Sequence, residues 1–290
     1  KAVSGGGGRG MRRVERSEDV ADAFAEASAE ALSAFNDGSM YLEKLVTEGR
    51  HVEFQVLGDR HGHVVHLGER ECSVQRRHQK LLEESPSQAL SSELREAMGT
   101  AAVALCKQAG YVNAGTVEFL VDRHRNFYFM EVNTRVQVEH PVTELVTGVD
   151  IVKMQLRIAA GEPLPFKQED IVLRGWSMEC RINAEDPKSF APSPGPVRLW
   201  HAPGGPGIRV DSHLYSGYSV PPFYDSLIAK LISYGETRDT AIARMRNALS
   251  EMVVEGIKTN APLHQEIFGH SAFRQGGLDI HYLERRLGLK

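Results

Sequence analysis

The sequence predicts an α+β protein, antiparallel sheets with flanking helices, on three observations. Two pairs of segments with two-residue alternation, 50–57 with 63–67 and 116–122 with 127–131, are joined by short polar turns as β-hairpins are. The stretches 17–35, 91–109, 149–160 and 239–252 read as helices. The chain has 290 residues, 41% of them hydrophobic, enough for a sizeable core and two domains or subdomains.

From the start, residues 1–11 form a glycine-rich loop, with Gly5, Gly6, Gly7 and Gly8 in succession and Lys1 and Arg9 adding positive charge. Backbone amides in such a loop can close round an anion, although a linker has the same composition. The Lys-Ser/Thr ending of a Walker-type loop is missing. Residues 17–35 follow as an amphipathic helix, with Ser17 as N-cap, Val20, Phe24, Ala27, Ala31 and Phe35 at helical spacing, and Asn36-Asp37-Gly38 as its end. Residues 39–46 read as a short strand, and 50–57 with 63–67 as a hairpin round GDRHG. The run GERECSVQRRHQK at 68–80 shows neither helical nor strand period. Its Gln75, Arg76, Arg77, His78 and Lys80 suggest a cationic cluster suited to anions. Residues 91–109 return to helix, with Leu94, Met98, Ala101, Ala102 and Leu105 inward.

The stretch FYFMEVNTRVQVEHPVT at 127–143 organises the rest. It opens as a strand that otherwise reads as buried, yet keeping the alternation places Glu131, Asn133, Arg135, Gln137 and Glu139 on one side. If Asp122 pairs with Phe127, Glu118 lies opposite Glu131. Facing like charges are destabilising unless something positive sits between them. A hard cation with oxygen ligands, joined by Asn133, is one answer; a protonated carboxyl, or a bridging Lys or Arg, is the other.

The remainder reads as scaffold: strands at 172–182, 197–200, 208–212 and 226–234, with Tyr215, Tyr218 and Tyr224 as core and turn packing rather than a platform for bases. Acidic residues number 38 against 34 basic, for a net charge of −4, which argues against nucleic acid or an anionic membrane as partner. No apolar run is long enough to span a bilayer, no His pair has zincin spacing, and Cys72, Cys106 and Cys180 are odd in number and far apart, as in a reducing, cytoplasmic compartment.

In order along the chain, GGGGRGM, ERECSVQRRHQK, MEVNTRVQVEHPVTE, ECRINAEDP, APGG, PPFYD and GIKTN resemble the biotin carboxylases, members of the ATP-grasp family, and the likeness covers essentially all of the chain. It implies an ATP-grasp lid portion at 1–46, an ATP-grasp core with the metal and bicarbonate site at 47–170, and a biotin carboxylase C-terminal subdomain at 171–290. The family's N-terminal Rossmann-like domain is expected ahead of this sequence.

The resemblance implies that Lys1 and Gly5 to Gly8 cover the ATP phosphates, that Met11 lies near the adenine and that Glu43, Lys44 and Val46 form the hinge reading its edge. His51 and Gln75 would contact the ribose, His78 would add to the ATP site, and Leu120 would lie under the base. Glu118, Glu131 and Asn133 would hold Mg2+ or Mn2+. Arg135, Gln137 and the backbone of Val138 would hold bicarbonate with charge from Lys80, Glu139 would be the general base, and Arg181 would stabilise the biotin enolate. Whether released phosphate or Glu139 takes the biotin N1 proton is left open.

The implied reaction is ATP- and bicarbonate-dependent carboxylation of biotin on a carrier protein. The implied partners are that biotin carboxyl carrier protein, carboxyltransferase subunits and, at full length, a second copy in a homodimer. With no biotinyl Met-Lys motif the chain looks like the free subunit of a multisubunit acetyl-CoA carboxylase serving fatty acid synthesis; propionyl-CoA, methylcrotonyl-CoA or pyruvate carboxylase is the alternative. Another ATP-grasp ligase such as a carbamoyl phosphate synthetase would share the metal hairpin and bicarbonate step without QRRHQK or VQVEHPVTE. A structural fragment would have no use for Arg135, Glu139 and Arg181.

Overall fold

Alternation of apolar and polar residues along β-strands gives a sheet two chemically different faces, and here that difference positions everything else. In a computed structural model, which describes residues 1–5 and 9–288, the chain forms two units. The first unit comprises Lys1–Thr47 with Arg77–Gln79. It holds a 3-10 turn at Ser17–Asp19 and the helix α1, Val20–Phe35. Ser17 does not cap that helix by its side chain, and only Ala27 and Ala31 of its predicted inner face are buried, with Phe24 exposed. Asn36 ends it in the left-handed region, at φ 56°. Among the described residues, the expected strand at 39–46 is reduced to one bridge, Ala2 to Met40.

The second unit contains β1 (Arg50–Gly58), β2 (Val64–Arg76), β3 (Gln79–Ser85, whose first residue belongs to the other unit), α2 (Ser92–Gln108), β4 (Asn113–Val121), β5 (Phe127–Asn133), α3 (His140–Thr147) and α4 (Ile151–Ala159). It continues with β6 (Trp176–Asn183), β7 (Gly195–Pro196), β8 (Leu199–His201), β9 (Ile208–Ser212), β10 (Ser219–Val220), β11 (Leu227–Gly235), α5 (Arg238–Glu251), β12 (Val253–Glu255), α6 (Ala261–Gly269), α7 (Ser271–Gln275) and α8 (Tyr282–Arg286). Eight strands form one antiparallel sheet in the order β5-β4-β1-β2-β3-β6-β11-β9. No helix of the described residues is long and apolar enough to cross a membrane.

One face of the sheet is largely apolar, interrupted at β2 by Glu69 and Glu71. Val52, Phe54 and Val56 of β1, with Val117, Phe119 and Val121 of β4, pack on Met98, Ala102 and Cys106 of α2. Further along, Leu82, Met178, Cys180 and Leu231 pack on Ala241, Ile242 and Met245 of α5 and on Ile267 and Phe268 of α6. On the other face, Leu57 and Ala114 meet Ile151, Met154 and Ile158 of α4. Beyond Leu57 the same side of β1 turns polar, at Gln55, Glu53 and His51, all buried.

Several expectations need correction. The run at 68–76 lies inside β2 and is almost wholly buried, with Glu69 bound by Arg95 and Glu71 by Arg50. Its alternation is masked because both faces carry charge. The strand opening the 127–143 stretch stops at Asn133, and a helix not expected from the sequence begins at His140, with Pro141 in its first turn. β5 is an exposed edge strand, with Phe129 52% accessible. Tyr215 and Tyr224 are exposed rather than packed in a core. The strand expected at 172–182 begins only at Trp176.

The β1–β2 turn is held by Asp59, which accepts from the amides of His61 (2.8 Å), His63 (2.9 Å) and, far along the chain, Leu164 (3.0 Å). Burial opposes ionisation of Asp59, but these amide donors and the His63 ring outweigh it and hold the carboxyl at about 2, below its ordinary 3.8. Stabilisation by this carboxylate is complete above pH 3.8 and is lost as pH falls through 2, because the unfolded chain takes up the proton first. Asp59→Ala is expected to cost about 2–3 kcal/mol in urea unfolding at pH 7, from orphaned amides. Asp59→Asn should lose less stability than the wild type between pH 4 and pH 2.

Candidate active site

Strand register builds the site. Arg70 of β2, Glu53 of β1, Glu118 of β4 and Glu131 of β5 stand directly opposite one another in a row across four strands. The next row is Gln55, Thr116 and Asn133, and on the other side His51 faces Leu120. The Glu118–Glu131 pair expected from the hairpin is present, by a different route. Val121 rather than Asp122 pairs with Phe127, and a bulge that leaves Met130 over restores the opposition.

Three carboxylates converge on Lys80, whose Nζ lies 2.5 Å from Glu53, 3.0 Å from Glu118 and 2.7 Å from Glu139. Arg70, wholly buried, donates from Nε to Glu53 (2.6 Å), from one Nη to Gln55 (2.7 Å) and Thr143 (3.0 Å), and from the other to Thr116 (3.1 Å) and Gln137 (3.3 Å). Burial raises the Glu53 carboxyl, but Lys80 and Arg70 more than compensate and hold it at about 2. Glu118 is likewise held below the usual carboxylate range: burial opposes its ionisation, while His51, Lys80 and Gln137 favour it. Lys80 is pushed well above its usual value by the acids around it, against the effect of burial.

Glu139 is the residue just before α3 and makes no capping bond of its own, so its carboxylate is available to Lys80 and, at 2.9 Å, to the guanidinium of Arg181. Arg181 lies on β6, opposite Lys230 of β11, whose Nζ donates to the carbonyl of Val138 (3.0 Å). The carbonyl of Arg181 accepts from Asn260 (2.9 Å), the last residue of the GIKTN motif, and lies 2.9 Å from the His264 ring.

Glu118, Glu131, Asn133, Gln137, Glu139, Lys80 and Arg181 are thus brought together within the second unit. Arg135 is exposed, its guanidinium donating to the Val136 carbonyl (3.2 Å) and to Asn133 (3.4 Å). His51 and Gln75, both buried, lie 3.4 Å apart. In the first unit the Lys1 ammonium lies 3.4 Å from Glu43, while Lys44 is exposed and Met11 and Val46 are half-buried. Gly5 and His78 also belong to that unit, and Gly6, Gly7 and Gly8 lie outside the described residues. The expected cationic cluster at 75–80 is dispersed: Lys80 serves three acids, and Arg76 stacks on Phe190 at 3.9 Å near Glu185.

Sequence reasoning missed Glu53, Arg70, Glu83 and Glu179. A signal existed for Glu53: in VEFQV at 52–56 the strand alternates apolar residues with Glu and Gln, too polar for a core face and too apolar on the other side for a free edge.

The donor set suits a hard cation. The amide nitrogen of Asn133 lies 3.0 Å from Glu118 and 3.4 Å from Glu131, bridging the two carboxylates. Turning that amide over would present its oxygen instead, giving three oxygen side chains of the kind that hold Mg2+ or Mn2+. In the structure as it stands, the repulsion is relieved by Lys80 at Glu118 together with this amide.

Residues 1–167 match the family described as "Carbamoyl-phosphate synthase L chain, ATP binding domain", and residues 179–285 match "Biotin carboxylase C-terminal domain". The class is therefore an ATP-grasp protein carrying a biotin carboxylase C-terminal domain. A biotin carboxylase of Haemophilus influenzae is 57% identical over all of this chain, and a pyruvate carboxylase subunit of Methanothermobacter thermautotrophicus is 53% identical over 98% of it. The chain spans 64% and 58% of their respective lengths. Among solved structures, the Campylobacter jejuni biotin carboxylase in its beta-gamma-ATP complex superposes with TM-score 0.94 at 49% identity, over 97% of this chain and 63% of that one. The biotin carboxylase domain of Hydrogenobacter thermophilus 2-oxoglutarate carboxylase, a dimer in complex with MgADP, ADP and bicarbonate, gives TM-score 0.94 at 52% identity, over 99% and 63%. The chain belongs to the biotin carboxylase family.

Removing Arg70 would strand Glu53 and the oxygens of Gln55 and Gln137 in a dry interior. Arg70→Met is expected to lower stability by about 3–5 kcal/mol, and Arg70→Lys by less, since it restores charge but only three donors. Urea unfolding midpoints of the two variants check the order.

Proposed function

We propose that the chain carries the ATP- and bicarbonate-dependent carboxylation of biotin on a carrier protein, as the biotin carboxylase subunit of a cytoplasmic acetyl-CoA carboxylase. The observation that carries this reading is the Glu139 carboxylate, buried between Lys80 and Arg181 and next to the Glu118–Glu131–Asn133 oxygen set. Residues 1–46 are taken as the lid portion, 47–170 as the ATP-grasp core and 171–290 as the C-terminal subdomain.

In this reading Glu118, Glu131 and Asn133 hold Mg2+ or Mn2+, which would neutralise charge on the phosphates of ATP. Lys1 and Gly5 to Gly8 bind those phosphates. Met11, Glu43, Lys44, Val46 and Leu120 receive the base, and His51, Gln75 and His78 complete the ATP site. Arg135, Gln137 and the Val138 amide hold bicarbonate beside Glu139. Bicarbonate is a poor nucleophile until Glu139 accepts its proton; the oxyanion then attacks the γ-phosphorus, ADP leaves, and carboxyphosphate breaks down to CO2 and phosphate. The phosphate released from carboxyphosphate, or Glu139 acting through bicarbonate, takes the N1 proton of biotin; the charge delocalises onto the ureido oxygen, where the Arg181 guanidinium is the stabilising donor, and N1 adds to CO2. Carrier protein, carboxyltransferase subunits and a second copy of the chain are the expected partners. The likeness to a pyruvate carboxylase component supports a second parent, since the acyl acceptor is chosen elsewhere.

The test is bicarbonate-dependent ADP release, with and without free biotin, by the chain joined to the N-terminal domain expected of the family. Stimulation by biotin is the expected result; a response to ammonia instead would support carbamoyl phosphate chemistry. Glu139→Gln is expected to lower biotin carboxylation by about 100-fold or more, on the order of what losing a general base costs. ATP affinity in that variant should change little, and equal loss of both would remove Glu139 from the role of base.

A further inference from the structure

Behind Arg181 lies a pair of acids that the reaction as described does not use. Glu83 of β3 and Glu179 of β6 are directly opposite in the ladder, and both are wholly buried. One oxygen of Glu83 accepts from Arg181 Nε at 2.7 Å. Its other oxygen and both oxygens of Glu179 have no hydrogen-bond partner among the described residues.

We propose that Glu83 is a positioning residue for Arg181, and that Glu179 is kept as a neutral acid so that Glu83 can remain an anion beside the guanidinium. Directly opposed residues on antiparallel strands have Cβ atoms about 5 Å apart, too close for two carboxylates to stay ionised in a dry interior. The proton falls to the carboxyl without a cation in contact, which is Glu179. Burial raises Glu179 well above the carboxylate range, and the charge of Glu83 adds to this. Burial also raises Glu83 and the charge of Glu139 adds to this, but the Arg181 guanidinium in contact with it opposes the rise, so of the two carboxyls Glu83 is the one that keeps its charge.

The consequence is geometric. Arg181 is tied at Nε to Glu83 on β3 and at one Nη to Glu139 at the start of α3, two carboxylates on different elements. A planar guanidinium fixed at two of its three nitrogens cannot swing about its last torsions, so its remaining N–H groups keep one direction. If Arg181 stabilises charge on biotin, that direction has to be set before the charge develops. Glu139 alone cannot set it, because a base that gains and loses a proton is a changing anchor. Glu83 does not take part in the chemistry and holds the other end. This role rests on the reading of the site as a biotin carboxylase.

The experiment compares wild type and Glu83→Gln, in the full chain, by the ratio of biotin-dependent to biotin-independent ADP release at saturating bicarbonate. The ratio is expected to fall about 10- to 100-fold, the usual effect of losing a partner that orients an active group. The fall should appear in kcat for the biotin-dependent rate rather than in the KM for ATP. If Glu83→Gln does not fold, Glu83→Asp, which keeps the charge but is too short to reach Nε, should lower the ratio in the same direction. An unchanged ratio, or equal loss of both rates with a raised KM for ATP, overturns the positioning role while leaving the functional reading intact. Failure of biotin to stimulate the wild type overturns both. Infrared difference spectra of wild type against Glu179→Gln are expected to contain a neutral-carboxyl C=O band from the wild type; its absence overturns the assignment of the proton to Glu179.

Discussion

The Arg70 guanidinium is the contact on which the rest of the site depends. Its five hydrogen bonds reach β1, β4, the loop before α3 and α3 itself, through Glu53, Gln55, Thr116, Gln137 and Thr143. A buried cation is tolerated only when its charge is matched and its donors are satisfied. Arg70 meets both conditions only if those elements stand where they do. Displacing α3 would unpair Thr143 and Gln137 together, and with them the Glu139 carboxylate at the head of the same helix. The position of the candidate base is in this sense a by-product of satisfying a guanidinium on another strand.

The sheet explains why the fold tolerates such a network. Its largely apolar face packs on α2 at one end and on α5 and α6 further along, so most of the hydrophobic contribution to stability comes from that side. That opposite face has an apolar seal at one end, where Leu57 and Ala114 meet α4. The remainder is free to collect charge. Alternation then makes neighbours of residues far apart in sequence: Glu53 and Glu118 are 65 positions apart yet directly opposed, as are Glu83 and Glu179 across the other half of the sheet.

What could be read from the sequence follows the same division. The Glu118–Glu131 pair was legible because one tight turn joins its strands, and its opposition survived an incorrect assumption about where pairing starts, since a bulge compensated for it. Helix α2 was legible from the helical spacing of its apolar residues. Glu53, Arg70, Glu83 and Glu179 were not legible as a site, because each looks like a stray charge until strands from distant parts of the chain are laid side by side. The polar run at 68–80 misled for a related reason. Glu69 and Glu71 pair with Arg95 and Arg50 on one side of β2 while Arg70 enters the network on the other, so no single periodicity emerges. At 134–139 local alternation continued after the strand had ended, and only Pro141 hinted at the helix that brings Glu139 inward.

Charge is distributed unevenly through the network, and the direction of the imbalance bears on what it binds. At the Arg181 end, where burial is complete at Glu83 and Glu179, one guanidinium faces Glu83 and Glu139, and the third acid is neutral in the arrangement inferred above. In the middle, Arg70 and Lys80 serve Glu53, with Lys80 shared by Glu118 and Glu139. At the outer end Glu131 is exposed, and its contact with Asn133 comes from an uncharged amide. The unmatched negative charge therefore accumulates at the edge strand, where solvent can screen it. A divalent cation would enter at that edge at little desolvation cost, meeting oxygens already oriented by the β4–β5 ladder. A sheet that grades from satisfied charge inside to surplus negative charge outside in this way presents its unmatched oxygens at the edge that solvent reaches.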